Sequence, residues 1–184
     1  MKKRVYLAGA IDHAEDGGKT WRRQITPMIN DVGIDVFDPC IEADGYAARL
    51  LGWSEFSHQR WAELKKTDFQ TWQEISEEMV DFDLKALINS DGLLVLYDDV
   101  THETSQGTPG EITVAKLIQI PMGIVFGGKQ SVETCVVWVT GCLRIATLYD
   151  SMDDFIKVMH LLGRKKQPFF PKQFDKVYID GAGI

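Results

Sequence analysis

The chain has 184 residues, 45% of them hydrophobic and 26% charged, and a net charge of −7. Those values fit one soluble globular domain over residues 1–184. The acidic balance speaks against duplex nucleic acid as a partner, and no apolar run approaches the ~20 residues that would make a membrane one.

The opening "MKKRVYLAGAIDHAED" starts basic and turns acidic after a short apolar stretch. It reads as a first strand ended by Gly9, not as a signal peptide. "TWRRQITPMINDVG" carries Trp21, Ile25, Met28, Ile29 and Val32 at helical spacing, with Gly33 suited to the helix end and Pro27 a point of kink or break. "IDVFDP" is a second strand stopped by Asp38-Pro39, and residues 44–66 have weak helical patterning. Residues 71–89 form a clearer helix, with Ile75, Met79, Phe82 and Ala86 along one face. "GLLVLY" (92–97) is apolar on both alternating faces, as in a buried parallel strand. The segment 98–111 reads as a loop, followed by a helix from Glu111 to about Gln119. "PMGIVFGG" is a fourth strand and "LRIATLYD" a fifth; Ser151-Met152-Asp153-Asp154 fits a capping box opening the helix "MDDFIKVMHLLG". Residues 129–143 fit helix or strand equally.

Strands alternating with helices predict a doubly wound, five-stranded parallel sheet with helices on both faces. Ligands in such folds sit at the carboxyl ends of the strands. Three segments converge there: Gly9 to Asp12, Asp38-Pro39, and 98–111.

"SQGTPGEITVA" (105–115) looks like a phosphate loop but ends in a carboxylate. Glu111 is either a plain helix cap or an ionised nucleophile kept anionic by the helix start. Gly107 and Gly110 favour the second reading, since they allow a ligand close to the backbone. Asp83 borders the buried face of its helix, where lost hydration raises a carboxyl pKa and suits proton donation; the alternative is a solvated charge beside Asp81. Tyr6 is either core or a hydroxyl donor to a central carboxylate. Trp21-Arg22-Arg23 either pack and solvate a helix or clamp a base or an anion. Asp98, Asp99 and Glu103 read as loop charges. The cysteines Cys40, Cys135 and Cys142 form no CxxC pair and no metal-like cluster with the four histidines, which points to a reducing, cytoplasmic setting.

Together these residues resemble the nucleoside 2-deoxyribosyltransferase family, over about residues 4 to 126. "VYLAGAID" is similar to its first strand, "DFDLKALINSDGLLVLYD" to its helix-then-strand signature, and "SQGTPGEITVA" to the segment bearing its nucleophilic glutamate. The resemblance implies a flavodoxin-like sheet and cleavage of a deoxyribose N-glycosidic bond by retaining double displacement. Glu111 would attack C1′, Asp83 would help protonate the departing base, and Tyr6 would orient the glutamate. Gly9, Ala10, Ile11, Asp12, Trp21, Ser105, Gly107, Thr108 and Gly110 would contact substrate. No metal or organic cofactor is required, the partners are a deoxynucleoside or deoxynucleotide and a free nucleobase, and a homo-oligomer is expected.

Two residues depart from the transferase pattern. Ser105, six positions before Glu111, replaces an acidic residue that binds the sugar 5′-hydroxyl. A serine there is similar to the family's nucleoside 5′-monophosphate N-glycosidases, a hydrolytic branch. Asp12 stands where those hydrolases tend to carry a basic residue. Two further readings are a non-catalytic nucleotide-binding module, with Glu111 as a cap, and a flavin-binding domain; the acidic "AGAIDHAED" speaks against a flavin phosphate loop. The aromatic stretch "LLGWSEFSHQRW" either roofs a base pocket or supplies core and an oligomer surface.

Overall fold

A computed structural model describes residues 2–143 and 146–157 of the chain. Its frame is a five-stranded, all-parallel sheet: β1 (Arg4–Ala8), β2 (Asp35–Phe37), β3 (Gly92–Tyr97), β4 (Met122–Phe126) and β5 (Ala146–Tyr149), in the order β2-β1-β3-β4-β5. This is the flavodoxin-like order, with its switch point between β1 and β3. The register is continuous across that point, Tyr6 opposite Leu93 and Ala8 opposite Val95.

Seven helices connect the strands within the described residues: α1 (Lys19–Asp31), α2 (Pro39–Leu51), α3 (His58–Thr67), α4 (Phe69–Ile88), α5 (Asp99–Thr104), α6 (Gly107–Leu117) and α7 (Val137–Thr140). Residues 152–157 are helical as well. The strand pleat sorts side chains onto two faces with period two. Val5 and Leu7 join Ile25 and Ile29 of α1 and Phe155 in one core. Tyr6 and Ala8 join Leu87 of α4 and Ile112 and Ala115 of α6 in the other. That alternation puts Tyr6 on the face covered by α4 and α6, beneath the helices that carry Asp83 and Glu111.

Several boundaries differ from the sequence expectation. Pro27 lies inside an unbroken α1, on its exposed face. Residues 44–66 divide into α2 and α3 around Gly52, which adopts a left-handed φ of 64°. The segment 98–111 is not one loop. Asp98 caps α5 by accepting the Thr101 N–H at 2.8 Å, and α6 begins at Gly107. Pro109 lies in its first turn, where a helix tolerates proline because the N–H has no partner there. Residues 137–140 of the ambiguous stretch are helical. The Ser151 cap forms, with Oγ accepting the Asp154 N–H at 3.2 Å. The rest of the helix expected after it lies outside the described residues.

Candidate active site

The loop after β1, α2, α3, α4 and the α5–α6 junction enclose an open cleft of about 480 Å³ at the carboxyl end of the sheet. Glu111 and Asp83 both line it. Tyr6 lies beneath, fully buried, and its hydroxyl donates to Glu111 Oε1 at 2.7 Å. Phe37 stacks on the Tyr6 ring at 5.1 Å, which fixes the ring's plane.

The two carboxyls have different surroundings. Burial pushes the Asp83 carboxyl up to about 7, with the negative charges of Glu111 and Glu42 adding to the shift. Burial pushes Glu111 up too, but two groups oppose it: the hydrogen bond from Tyr6 and the positive charge of Arg22. Burial thus raises both carboxyls, and groups that favour the anion act on Glu111 alone. Burial, then the charges of Glu111 and Asp83, raise the Tyr6 hydroxyl far above its ordinary value, so it stays a donor. Glu111 sits one turn into α6, and no acidic residue occupies that helix's first turn. The groups that favour its ionised form are Tyr6 and Arg22; the helix N-terminus that the sequence suggested lies a turn away, because α6 starts before Pro109.

Arg22 is the residue whose place the sequence concealed. It is fully buried. Its guanidinium donates to the carbonyls of Gly18 at 2.7 Å and Gly9 at 3.1 Å and lies 3.5 Å from Asp38. A Cβ at Gly18 would collide with the Ala10 carbonyl and with the guanidinium itself, which explains glycine at this left-handed position. Arg22 thus braces the loop after β1 instead of reaching a ligand. Thr101 braces it from the other side: its buried hydroxyl accepts the Ala10 N–H at 3.0 Å and donates to the Leu96 carbonyl at 3.1 Å. A clue to Thr101 lay in the Asp98-x-x-Thr101 cap spacing; the Gly17-Gly18 pair just before Arg22 was the only hint to Arg22.

The expected substrate contacts divide. Gly9, Ile11, Asp12, Ser105, Gly107 and Thr108 line the cleft. Ala10, Trp21 and Gly110 are not among its lining residues. The Ala10 N–H is taken by Thr101, Trp21 packs into the core on the α1 face, and Gly110 is exposed on α6. Gly9 is required for close approach, since a Cβ would stand 3.2 Å from the Leu96 carbonyl and 3.3 Å from the Trp21 ring. At Gly107 and Gly110 a Cβ would meet nothing. Ser105 Oγ accepts the Thr108 N–H at 3.2 Å and donates to Thr108 Oγ1 at 2.9 Å.

The cleft also has an apolar lining of Pro39, Phe56, Trp61, Trp72, Met79 and Val80, the last three on the helix α4 that carries Asp83. Phe56 and Trp61 are 5.6 Å apart, Trp61 and Trp72 5.8 Å, and the Trp72 Nε1 is buried with no hydrogen-bond partner among the described residues. Among the described residues no group of three or more His, Cys, Asp or Glu could hold a metal ion. Asp98 and Asp99 serve as structural acceptors, Asp98 for α5 and Asp99 for the Lys129 N–H and Gln130.

The chain resembles solved 2-deoxyribosyltransferases in three dimensions. It superposes on the enzyme from the psychrotolerant bacterium Bacillus psychrosaccharolyticus with a TM-score of 0.56 at 15% identity, covering 82% of this chain and 88% of the other. The fold is that of the 2-deoxyribosyltransferases. The 2-desoxiribosyltransferase from Leishmania mexicana gives a TM-score of 0.54 at 11% identity, covering 86% and 97%. A conserved protein from Enterococcus faecalis V583 gives 0.55 at 15%, covering 88% and 99%. No protein-family model matches the chain, and no curated protein matches it in sequence. No helix among the described residues is long and apolar enough to cross a membrane. On the deoxyribosyltransferase fold, the cleft lies at the switch point between β1 and β3, where ligands of such sheets bind.

Proposed function

We propose that the chain is a member of the nucleoside 2-deoxyribosyltransferase family. In this reading it cleaves the N-glycosidic bond of 2′-deoxyribonucleosides or their 5′-monophosphates and transfers the sugar to a second nucleobase. The observation that carries it is the Tyr6 hydroxyl 2.7 Å from Glu111 Oε1, in a cleft that Asp83 shares.

The chemistry follows from the unequal carboxyls. A Glu111 carboxylate oxygen attacks C1′ of the deoxyribose, the C1′–N bond breaks, and Asp83 passes its proton to the departing base. A deoxyribosyl ester on Glu111 remains. A nitrogen of a second base then attacks C1′, gives its proton to Asp83, and releases Glu111 as carboxylate. Two inversions retain configuration. Tyr6 holds one Glu111 oxygen and leaves the other free. The wall of Phe56, Trp61 and Trp72 suits the flat face of a nucleobase, since rings stack at about these separations. All of this uses groups of the chain alone.

The test is a chromatographic assay of base release and of new nucleoside formation, with and without an added acceptor base. The reading expects a new nucleoside when acceptor is present and no release by Glu111→Ala. Turnover retained in Glu111→Ala contradicts it. Base release that ignores the acceptor, with no new nucleoside, replaces transfer by hydrolysis.

A further inference from the structure

Phe56 heads the aromatic row of the cleft, but the packing around it is incomplete. It is half-buried, and it lines a second, open cavity of about 290 Å³ as well as the cleft itself. Its ring meets those of His58 at 5.1 Å and Trp61 at 5.6 Å. A side chain bordered by two spaces lacks partner atoms where they open, so packing alone fixes it weakly.

The backbone supplies what packing does not. Phe56 belongs to the linker between α2 and α3. At one end of that linker the Trp53 N–H donates to the Ala47 carbonyl at 3.0 Å. At the other, Ser57 caps α3 by accepting the Arg60 N–H at 3.4 Å. Between them, residues 54–56 make one hydrogen bond among the described residues: the Phe56 N–H donates to Asp44 Oδ1 at 2.9 Å. Asp44 lies on α2 and is held in turn by Lys19, the first residue of α1, whose Nζ stands 3.2 Å from Oδ2. A carboxylate acceptor makes the stronger kind of hydrogen bond. Asp44 is not among the residues lining the cleft; it borders the second cavity. Its hydrogen bonds go to Lys19 and Phe56, none to Tyr6, Asp83 or Glu111.

We infer that Asp44 is a positioning residue for base binding: by fixing the Phe56 backbone it holds the Phe56 ring at the cleft for the base to pack on. The inference rests on the glycosidic reading above. Without that bond, the second cavity gives Phe56 room to leave the cleft, and each binding event must order it again at an entropic cost. The groups that form and break bonds keep their own partners, so the loss falls on binding and not on chemistry.

The experiment measures KM and kcat for base release from a 2′-deoxyribonucleoside with the full chain. Asp44→Ala should raise KM about fivefold and leave kcat within about twofold. Asp44→Asn keeps an oxygen that accepts the Phe56 N–H, so its KM should stay within about twofold of wild type. In a Phe56→Ala background, Asp44→Ala should change KM by less than about twofold, because the ring through which it acts is gone. Thermal melting checks that each variant folds; Asp44→Leu, similar in size but without an acceptor, replaces Asp44→Ala if that variant does not. An unchanged KM in Asp44→Ala, a loss confined to kcat, or the same rise in KM without the Phe56 ring overturns the inference and leaves the glycosidic reading intact. Asp44→Asn as impaired as Asp44→Ala also overturns it, because the ion pair with Lys19 and not the bond to Phe56 then matters. No base release by the wild-type chain overturns the reading itself, and the inference with it.

Discussion

The sheet side of the cleft and its aromatic wall are built by different means. On the sheet side Tyr6 is fully buried, stacked on Phe37 and bonded to Glu111, while Arg22 and Thr101 lock the neighbouring loop to the strand ends. In the wall, α3 buries none of its residues. Its Trp61 meets Phe56 and Trp72 by ring contacts, and the Trp72 Nε1 has no hydrogen-bond partner among the described residues. Chemistry needs groups held to within a fraction of an ångström, which buried and doubly bonded side chains provide. Base recognition by stacking tolerates looser placement. In the proposed reaction the Tyr6–Glu111 pair forms the ester and the aromatic rings receive the base, while Asp83 comes from α4, the helix that also carries Trp72.

Substitutions on the two sides should separate accordingly. Glu111→Ala should lower kcat by at least about a thousandfold, because no other group can form the ester; single-turnover kinetics with purified variant measures it. Asp83→Asn should lower kcat by about a hundredfold and spare a substrate whose leaving group needs no proton. The pH profile sharpens this. Asp83 acts as acid while protonated, so wild-type activity falls as pH rises through about 7, and Asp83→Asn should lack that limb. Stability carries the same sign. The folded protein holds a proton on Asp83 that the unfolded chain releases near 3.8, so this group's contribution to stability declines from about pH 4 to about pH 7. Asp83→Asn should therefore melt higher than wild type at pH 8 in a thermal scan.

Tyr6→Phe should cost about tenfold in kcat, the scale of one hydrogen bond to a charged group. It removes a bond that lowers the Glu111 pKa, so the acid limb of kcat/KM should move to higher pH. The wall gives the smallest effects. Trp61→Ala should raise KM a few fold and leave kcat within about twofold. A large kcat loss there, or a pure KM effect at Tyr6, would break the division between the two sides.

The sheet was legible in the sequence because its strands are unambiguous. "GLLVLY" is apolar on both faces and is a central strand, and the switch-point location of the cleft follows from strand order alone. The helix carrying Asp83 was legible from its apolar stripe. What stayed hidden has physical causes. A buried Arg22 contradicts the ordinary place of arginine at the surface, so its bracing of the β1 loop has no sequence signature. Trp21 sits one residue away and faces the opposite core, a matter of helix rotation that spacing alone did not fix. The start of α6 was misplaced: it lies at Gly107, and Pro109 is tolerated in the helix's first turn. That error put Glu111 at a helix N-terminus that lies a turn away.

The proposed reaction passes through one bond, the ester between Glu111 and the C1′ of deoxyribose. Its direct test is mass spectrometry of the full chain, acid-quenched during turnover of a 2′-deoxyribonucleoside without acceptor base and then digested. The expected result is a mass gain of one deoxyribosyl group on the peptide containing Glu111, lost when acceptor base is added before the quench and absent from Glu111→Ala. Base release accompanied by a deoxyribosyl adduct on any other residue, or an adduct that persists in Glu111→Ala, would contradict it.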